Sequence, residues 1–281
     1  MNMTSGINLS NIRNLIKLAL KEDMPYGDVT TNTLVPSSAI TSAVFITKEK
    51  GIICGLCAAK EVFKSLDKKI VFKQFVKDGQ KVNKRQKIAS VNGRARAILS
   101  GERTALNILQ HLSGIATLTN EFVKAVGGKT KIFDTRKTTP LMRELEKHAV
   151  RCGGGYNHRQ NLSDMALIKD NHLKIVDGSQ LIVDRFRQRH KKITIEIEAQ
   201  NLKQVKQFLE LNPDIIMLDN MNYGHMRLAI KYIRENSGCE IEISGNINLK
   251  TAAKYAELRP DRISVGKITH SAPNLDISLE F

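Results

Sequence analysis

From about residue 128 onward the chain alternates two kinds of segment, and that alternation limits the fold more than any other feature. Short β-branched runs recur at 131–134 (KIFD), 166–169 (ALIK), 193–198 (ITIEIE), 214–218 (DIIML), 240–244 (EIEIS) and 262–265 (RISV). Between them lie amphipathic segments of helical length, among them LMRELEKHAVR, LKQVKQFLEL, HMRLAIKYIREN and LKTAAKYAEL. Strands separated by helices cannot close as hairpins; they pair in parallel through right-handed crossovers. No G-x-G-x-x-G follows any strand, so the pattern predicts an open or incomplete α/β barrel and not a doubly wound sheet.

Upstream the rhythm differs. Ile12, Leu15, Ile16 and Ala19 repeat at helical spacing behind Ser10, a suitable N-cap, and Pro25 and Gly27 should stop that helix. Residues 43–48 and 70–76 read as strands flanking a helix over 58–66, and 96–126 reads as long helices interrupted at Gly114. The expected organisation is an α/β protein with an N-terminal α+β sandwich domain over 1–105 and a barrel over 106–267. The tail, 268–281, should pack back on the first domain.

With 281 residues, 41% of them hydrophobic, the chain is long enough to bury real cores. No window approaches the roughly 18–20 apolar residues of a membrane span, and polar residues run through the N-terminal stretch, so a soluble cytoplasmic protein without a secretory leader is expected. Cys54, Cys57, Cys152 and Cys239 are too scattered to staple a fold of this size. Cys54 and Cys57 form a C-x-x-C, but a zinc site needs two more ligands, and the pair reads as buried structural cysteines. A formal charge of +16 raises the possibility of nucleic acid. The densest basic patches, at 81–87 and 187–192, hold no aromatic to stack a base, so neither nucleic acid nor membrane is an expected partner. The charge instead favours a polyanionic small substrate.

Thirty-nine positions, 134–172, collect Arg136, Lys137, Arg143, Arg151, His158, Arg159, Lys169 and His172 among glycines and turn residues. An ordinary ion network is one reading; on barrel-rim loops with few acids, carboxylate or phosphate binding is the other. Most rim positions follow or end predicted strands: Asp134, Thr135 and Arg136, then Lys169, Glu198, Asp219, Ser244 with Gly245, and Gly266. Glu198 and Asp219 end otherwise apolar strands, where a carboxylate must be salt-bridged, hydrated or bound to a metal such as Mg²⁺. SGN at 244–246 and SVGK at 264–267 place a glycine after a strand, as simple turns or as phosphate-binding backbone. GGG at 153–155 should close the helix over 140–152.

These residues resemble one family closely, the quinolinate phosphoribosyltransferases, along nearly the whole chain. The similar stretches are EDMPYGDVTT, SGERTALNILQHLSGIAT, DTRKTTP, GGGYNHR, IKDNH, EIEA, MLDN, ISGNI and ISVGKITHS. The resemblance implies a type II phosphoribosyltransferase fold and a homodimer whose sites lie between one subunit's barrel and the other's N-terminal domain. It also implies Mg²⁺-dependent transfer of phosphoribosyl from phosphoribosyl pyrophosphate to quinolinate with decarboxylation. Carried over by position, Arg136, His158, Arg159 and Lys169 would hold the quinolinate carboxylates, with Arg103 arriving from the partner subunit. Thr135 would also bind substrate, Lys137 would face the phosphoribosyl pyrophosphate, and Glu198 and Asp219 the ribose and Mg²⁺. Ser244, Gly245, Asn246, Val265, Gly266 and Lys267 would line the 5′-phosphate, with His270 near the same pocket. Lys137, Lys169, Glu198 and Asp219 are the implied catalytic groups.

The sequence departs from the family at four points. Leu141 and Asn161 stand where glycine is usual, Asn246 makes SGNI of SGGI, and Lys267 replaces a small residue, either as a phosphate contact or as a solvated side chain. Related proteins of the same fold, accepting nicotinate or associated with molybdenum transport, are the enzyme-class alternative. The intact arginine and lysine set favours a dicarboxylate.

Overall fold

The structure, a computed structural model, describes residues 8–175, 179–190 and 192–281. The N-terminal stretch 1–7 and Lys191 of the RQRHKK patch lie outside the described residues. Along the chain run α1 (Leu9–Asp23), α2 (Val29–Leu34), β1 (Ile40–Thr47), β2 (Gly51–Ile52), α3 (Leu56–Leu66), β3 (Val71–Gln74), β4 (Lys81–Val82), β5 (Lys87–Arg94) and α4 (Ala95–Ala125). Next come β6 (Lys131–Phe133), α5 (Arg143–Cys152), β7 (Ala166–Ile168), α6 (Asp170–Ile175), α7 (Ser179–Arg189), β8 (Ile195–Ala199), α8 (Leu202–Leu209) and β9 (Ile215–Asp219). The chain ends with α9 (Tyr223–Asn236), β10 (Glu240–Ser244), α10 (Leu249–Ala256), β11 (Arg262–Ser264), α11 (Lys267–His270) and β12 (Ile277–Glu280).

Two compact units result: Met1–Asn120 with Thr138–Gly154 and Ile268–Phe281, and Glu121–Lys137 with Gly155–Lys267. In the first, β12, β1, β5 and β3 pair antiparallel in that order. Alternation along β1 buries Ala43, Phe45 and Thr47 on one face. Phe45 meets Phe63 of α3 at 6.1 Å edge-on and Phe72 of β3 at 5.9 Å. Burying each such ring contributes roughly 1.5–3 kcal/mol, which anchors α3 to the sheet. Ile12, Ile16 and Leu20 form the buried stripe of α1, which packs on α3. The α1 cap is Asn8, whose side chain accepts from Ser10 N at 3.0 Å, two residues before the expected Ser10.

The expected interruption at Gly114 is absent. Helix α4 runs unbroken for 31 residues, and the expected division at 105/106 falls inside it. A Cβ on Gly114 would lie 2.0 Å from the Pro273 carbonyl oxygen, so this glycine is there for close approach of the C-terminal segment. Gly costs a helix interior about 1 kcal/mol relative to Ala, too little to break a helix held by packing.

In the second unit, the sheet order is β6-β11-β10-β9-β8-β7, and every neighbouring pair is parallel. All six expected strands are present. β6 and β7, consecutive strands of this sheet along the chain, occupy its two edges, so the barrel is open between them. One face carries Ile195, Ile197, Ile216, Leu218, Ile241, Ile243 and Ile263, all fully buried. Because strand side chains alternate, the other face receives Glu196, Glu198, Met217, Asp219, Glu242, Ser244, Arg262 and Ser264. Among the described residues no helix is long and apolar enough to cross a membrane.

Candidate active site

The DTRK and GGGYNHR motifs meet through one carboxylate. Asp134, directly after β6 and fully buried, accepts from Asn157 Nδ2 at 2.5 Å and from the backbone N–H of His158 at 2.9 Å. Tyr156 extends the edge of β6: its N–H donates to Ile132 O at 2.8 Å, and its carbonyl accepts from Asp134 N at 3.1 Å. A charged acceptor holding two donors is a strong local tie. It fixes the loop that carries His158 and Arg159.

His158 points inward. Its Nε2 lies 3.0 Å from Glu196 Oε2 and 3.5 Å from Glu242 Oε2, and its Nδ1 accepts from Arg159 N–H at 2.8 Å. Glu242 also accepts from Ser264 Oγ and lies 3.9 Å from Arg262 Nε. Burial and the neighbouring Glu196 charge push the Glu242 carboxyl up to about 7. Burial of the His158 ring opposes protonation, but the two acids outweigh it and lift the ring to about 9. Since Nδ1 faces an N–H donor, the ring proton belongs on Nε2, toward Glu196. The cluster's raised proton affinity is therefore best assigned to Glu242.

Arg136 stands close enough to Arg159 to disfavour its charge. Burial and the Arg136 cation lower the Arg159 pKa, while Glu196 and Asp164 partly restore it. Arg159 Nη1 donates to Met165 O at 3.2 Å, and Asp164 receives Gln160 N at 2.6 Å and Asn161 N at 3.3 Å. Asn161 Oδ1 in turn accepts from Ser163 N at 2.7 Å, so this departure closes a local turn. Lys137 is exposed, with its N–H on Thr135 Oγ1 at 3.0 Å. Lys169, directly after β7, places Nζ 2.7 Å from Glu198 Oε2 and donates its backbone N–H to His172 Nδ1 at 3.0 Å.

The ends of β9 and β10 form a second group. Asp219 Oδ2 accepts from Asn220 Nδ2 at 2.7 Å, Asn220 Oδ1 accepts from Asn246 Nδ2 at 3.2 Å, and Asn220 N–H donates to Ser244 O at 3.1 Å. Gly245 sits at φ 95°, and a Cβ there would fall 2.2 Å from Asn220 Oδ1. Asn246, at φ 49°, is in the left-handed region that Asn tolerates better than other non-glycine residues, which accounts for SGN in place of SGG. Glu198 pairs in register with Met217, two residues before Asp219, so both carboxylates share one face on adjacent strands. Hard oxygen donors so arranged fit Mg²⁺.

Not every expected residue joins these groups. Val265 is buried and its N–H is already donated to Phe133 O at 2.9 Å, leaving it a shaping role. Lys267 is exposed at the start of α11. Arg103 and His270 belong to the first unit and are exposed; His270 Nδ1 lies 2.6 Å from Ser271 Oγ. Arg143 and Arg151 are also in that unit, so the basic stretch is divided between the two. Glu196 and Glu242 were missed, yet period-two alternation offers them: Glu196 lies two residues below Glu198 and Glu242 two below Ser244.

Comparison with known proteins points to one family. Residues 28–113 match the family profile described as quinolinate phosphoribosyl transferase, N-terminal domain, and residues 115–280 the corresponding C-terminal domain. A nicotinate-nucleotide pyrophosphorylase (carboxylating) of Mycobacterium leprae is 38% identical over 286 residues, covering 99% of this chain and 100% of the relative. A mitochondrial quinolinate phosphoribosyltransferase (decarboxylating) of Nicotiana tabacum is 37% identical over 290 residues, covering 96% of this chain and 82% of the relative. Among solved structures, the nicotinate-nucleotide pyrophosphorylase of Francisella tularensis superposes with a TM-score of 0.92 at 38% identity, covering 98% of this chain and 97% of that one.

Proposed function

The chain belongs to the quinolinate phosphoribosyltransferase family, and from that premise we propose that it transfers phosphoribosyl from phosphoribosyl pyrophosphate to quinolinate with decarboxylation. The products are nicotinate mononucleotide, pyrophosphate and CO₂, a step of de novo NAD biosynthesis. The observation that carries the reading is the partly buried pair Arg136 and Arg159, in which burial and the Arg136 cation disfavour the charge on Arg159. Such a pair is relieved by an anion, and two adjacent carboxylates on a planar ring suit two guanidinium forks and an ammonium.

In this reading Arg136, Arg159 and Lys169 grip the carboxylates, and Arg103 of a second copy completes the grip in a homodimer. His158 acts as a positioning residue, because both its nitrogens are turned to Glu196, Glu242 and the Arg159 N–H. Lys137 faces the pyrophosphate, Glu198 and Asp219 the ribose hydroxyls, and Ser244, Gly245, Asn246 and Gly266 the 5′-phosphate. When bound by Glu198 and Asp219, directly or through water, Mg²⁺ supplies charge neutralisation for the departing pyrophosphate. Lys169 must exchange its Glu198 partner for substrate, freeing that carboxylate for the ribose. The ribose carbon becomes oxocarbenium-like and is taken by the pyridine nitrogen; the ring cation then stabilises the carbanion left as the 2-carboxylate departs. No enzyme nucleophile is required. Four free cysteines agree with a cytoplasmic setting.

Isothermal titration with quinolinate and with nicotinate tests the clamp. Loss of one carboxylate should weaken binding by about tenfold or more, on the order of 1.5–3 kcal/mol for a hydrogen-bonded charge. Equal affinity for the two acids would remove the dicarboxylate reading.

A further inference from the structure

The first unit gathers four metal-ligating side chains that the proposed chemistry does not use. Cys54 follows β2, Asp78 lies in the turn between β3 and β4, and His148 and Cys152 stand four residues apart on α5. An i, i+4 spacing puts the last two on the same helix face. Cys152 Sγ lies 3.4 Å from His148 Nε2, which lies 3.3 Å from Asp78 Oδ2. The ligand atoms of Cys54, His148 and Cys152 all fall within 4.8 Å of one another. Cys54 is 0% exposed, His148 2% and Cys152 7%, so the group is closed to solvent.

Ordinary side-chain pairing accounts poorly for this convergence. In a Cys-His-Asp relay the thiol and the carboxylate use opposite ring nitrogens. Here both address Nε2, which carries at most one proton. Two edges instead match those of a zinc shell: with Zn–S near 2.3 Å, Zn–N near 2.0–2.1 Å and Zn–O near 2.0–2.2 Å, the N···O edge is about 3.3 Å and the S···N edge about 3.5 Å. Asp78 stands beside the His148 ring but outside the group of three whose ligand atoms lie within 4.8 Å of one another.

The ligands are also held in place from behind. Gly55 N and Leu56 N donate to the two Asp78 oxygens at 3.1 and 3.2 Å. Cys54 N donates to Ser113 Oγ at 3.0 Å, and that hydroxyl donates back to Cys54 O at 3.1 Å. Such supports are the usual second layer of a metal site. Arg151 Nη2, 3.5 Å from His148 Nδ1, must turn aside when that nitrogen carries the proton; Arg151 is exposed and has solvent to turn into.

We propose that Cys54, His148 and Cys152 bind a thiophilic divalent cation, Zn²⁺ by preference, with a structural role, and that Asp78 turns in from beside the His148 ring as the fourth ligand. Two thiolates, an imidazole and a carboxylate are borderline-soft donors that select zinc over magnesium or calcium. The ion would tie α5 to the loop after β2 and, through Asp78, to the β3–β4 turn. The C-x-x-C is then coincidental. Only its first cysteine takes part, and the other ligands come from distant sequence.

The test is spectroscopic. The full-length protein, stripped with chelator and kept reduced, is titrated with Co²⁺. One equivalent per chain should bring a thiolate-to-cobalt charge-transfer band and the intense visible bands of tetrahedral cobalt, both erased by Zn²⁺. Cys54→Ser and Cys152→Ser should each weaken binding by more than the roughly 10–100-fold lost with an outer-shell partner. Cys57→Ser and Cys239→Ser should leave the spectrum unchanged. Zinc should also raise the unfolding temperature of the parent protein. Absence of a stoichiometric band in the reduced parent overturns the site without any variant, and so does a band that persists without both Cys54 and Cys152.

Discussion

Replacing Asp134 should loosen the GGGYNHR loop while leaving the sheet intact. Asp134 is fully buried and receives two donors, Asn157 Nδ2 at 2.5 Å and His158 N at 2.9 Å. Asp134→Ala leaves both unmet, and at roughly 1–3 kcal/mol for each unsatisfied buried donor the loss is about 4 kcal/mol. Asp134→Asn is milder: its amide oxygen can still accept from His158 N–H, and Asn157 can turn its own amide to match, so about 1–2 kcal/mol is expected. Hydrogen exchange read on peptides spanning 155–160 reports this opening directly, because the His158 amide proton is one of the two in question. At about 1.4 kcal/mol per decade, Asp134→Ala should speed exchange there by up to about a thousandfold, and Asp134→Asn by about tenfold. Peptides from β9 and β10 should be unchanged. Since Arg159 rides on the same loop, the KM for quinolinate should rise in parallel. Exchange within about threefold of the parent in Asp134→Ala, well inside one decade, would refute the reasoning.

Three further outcomes follow from single positions. Gly245→Ala puts a Cβ 2.2 Å from Asn220 Oδ1 at φ 95°, and strain of about 1–2 kcal/mol should raise the KM for phosphoribosyl pyrophosphate about tenfold in steady-state kinetics while quinolinate affinity holds. Leu141, at φ 66° and 80% exposed, occupies a backbone position suited to glycine, so Leu141→Gly should stabilise the protein by about 1 kcal/mol in urea unfolding; a lowered midpoint would count against it. Glu242 binds its proton more tightly folded than unfolded, so that stabilisation is full below its ordinary pKa of 4.5. It is lost as pH rises through about 7. Glu242→Gln should flatten that decline, on the order of 1 kcal/mol per pH unit per extra proton; an unchanged profile would show that the cluster does not titrate.

The six barrel strands were legible because β-branched runs between amphipathic helices leave few alternatives, and the rim residues followed from where those runs end. Asp134, Lys169, Glu198, Asp219 and the Ser-Gly turn all stand at strand ends, where alternation and chain direction suffice to locate them. Less legible was anything that depends on a partner distant in sequence. Gly114 read as a break because no local pattern announces that Pro273 must pass against it. The convergence of Cys54 with His148 and Cys152 is of the same kind. His158 looked like a substrate ligand because its motif is basic and loop-borne; its inward turn depends on Glu196 and Glu242, polar residues that alternation hides within apolar strands. The division of the basic stretch between two units arises because α5 lies with the first.

The most direct test of the central claim follows the carboxylate that leaves. Purified protein is supplied with phosphoribosyl pyrophosphate, Mg²⁺ and quinolinate isotopically labelled in its 2-carboxylate, and labelled CO₂ is counted against nicotinate mononucleotide. The account predicts equal amounts of the two, dependent on both substrates, with nicotinate a far poorer acceptor. Nucleotide formed without labelled CO₂, or nicotinate turned over as readily as quinolinate, would contradict it.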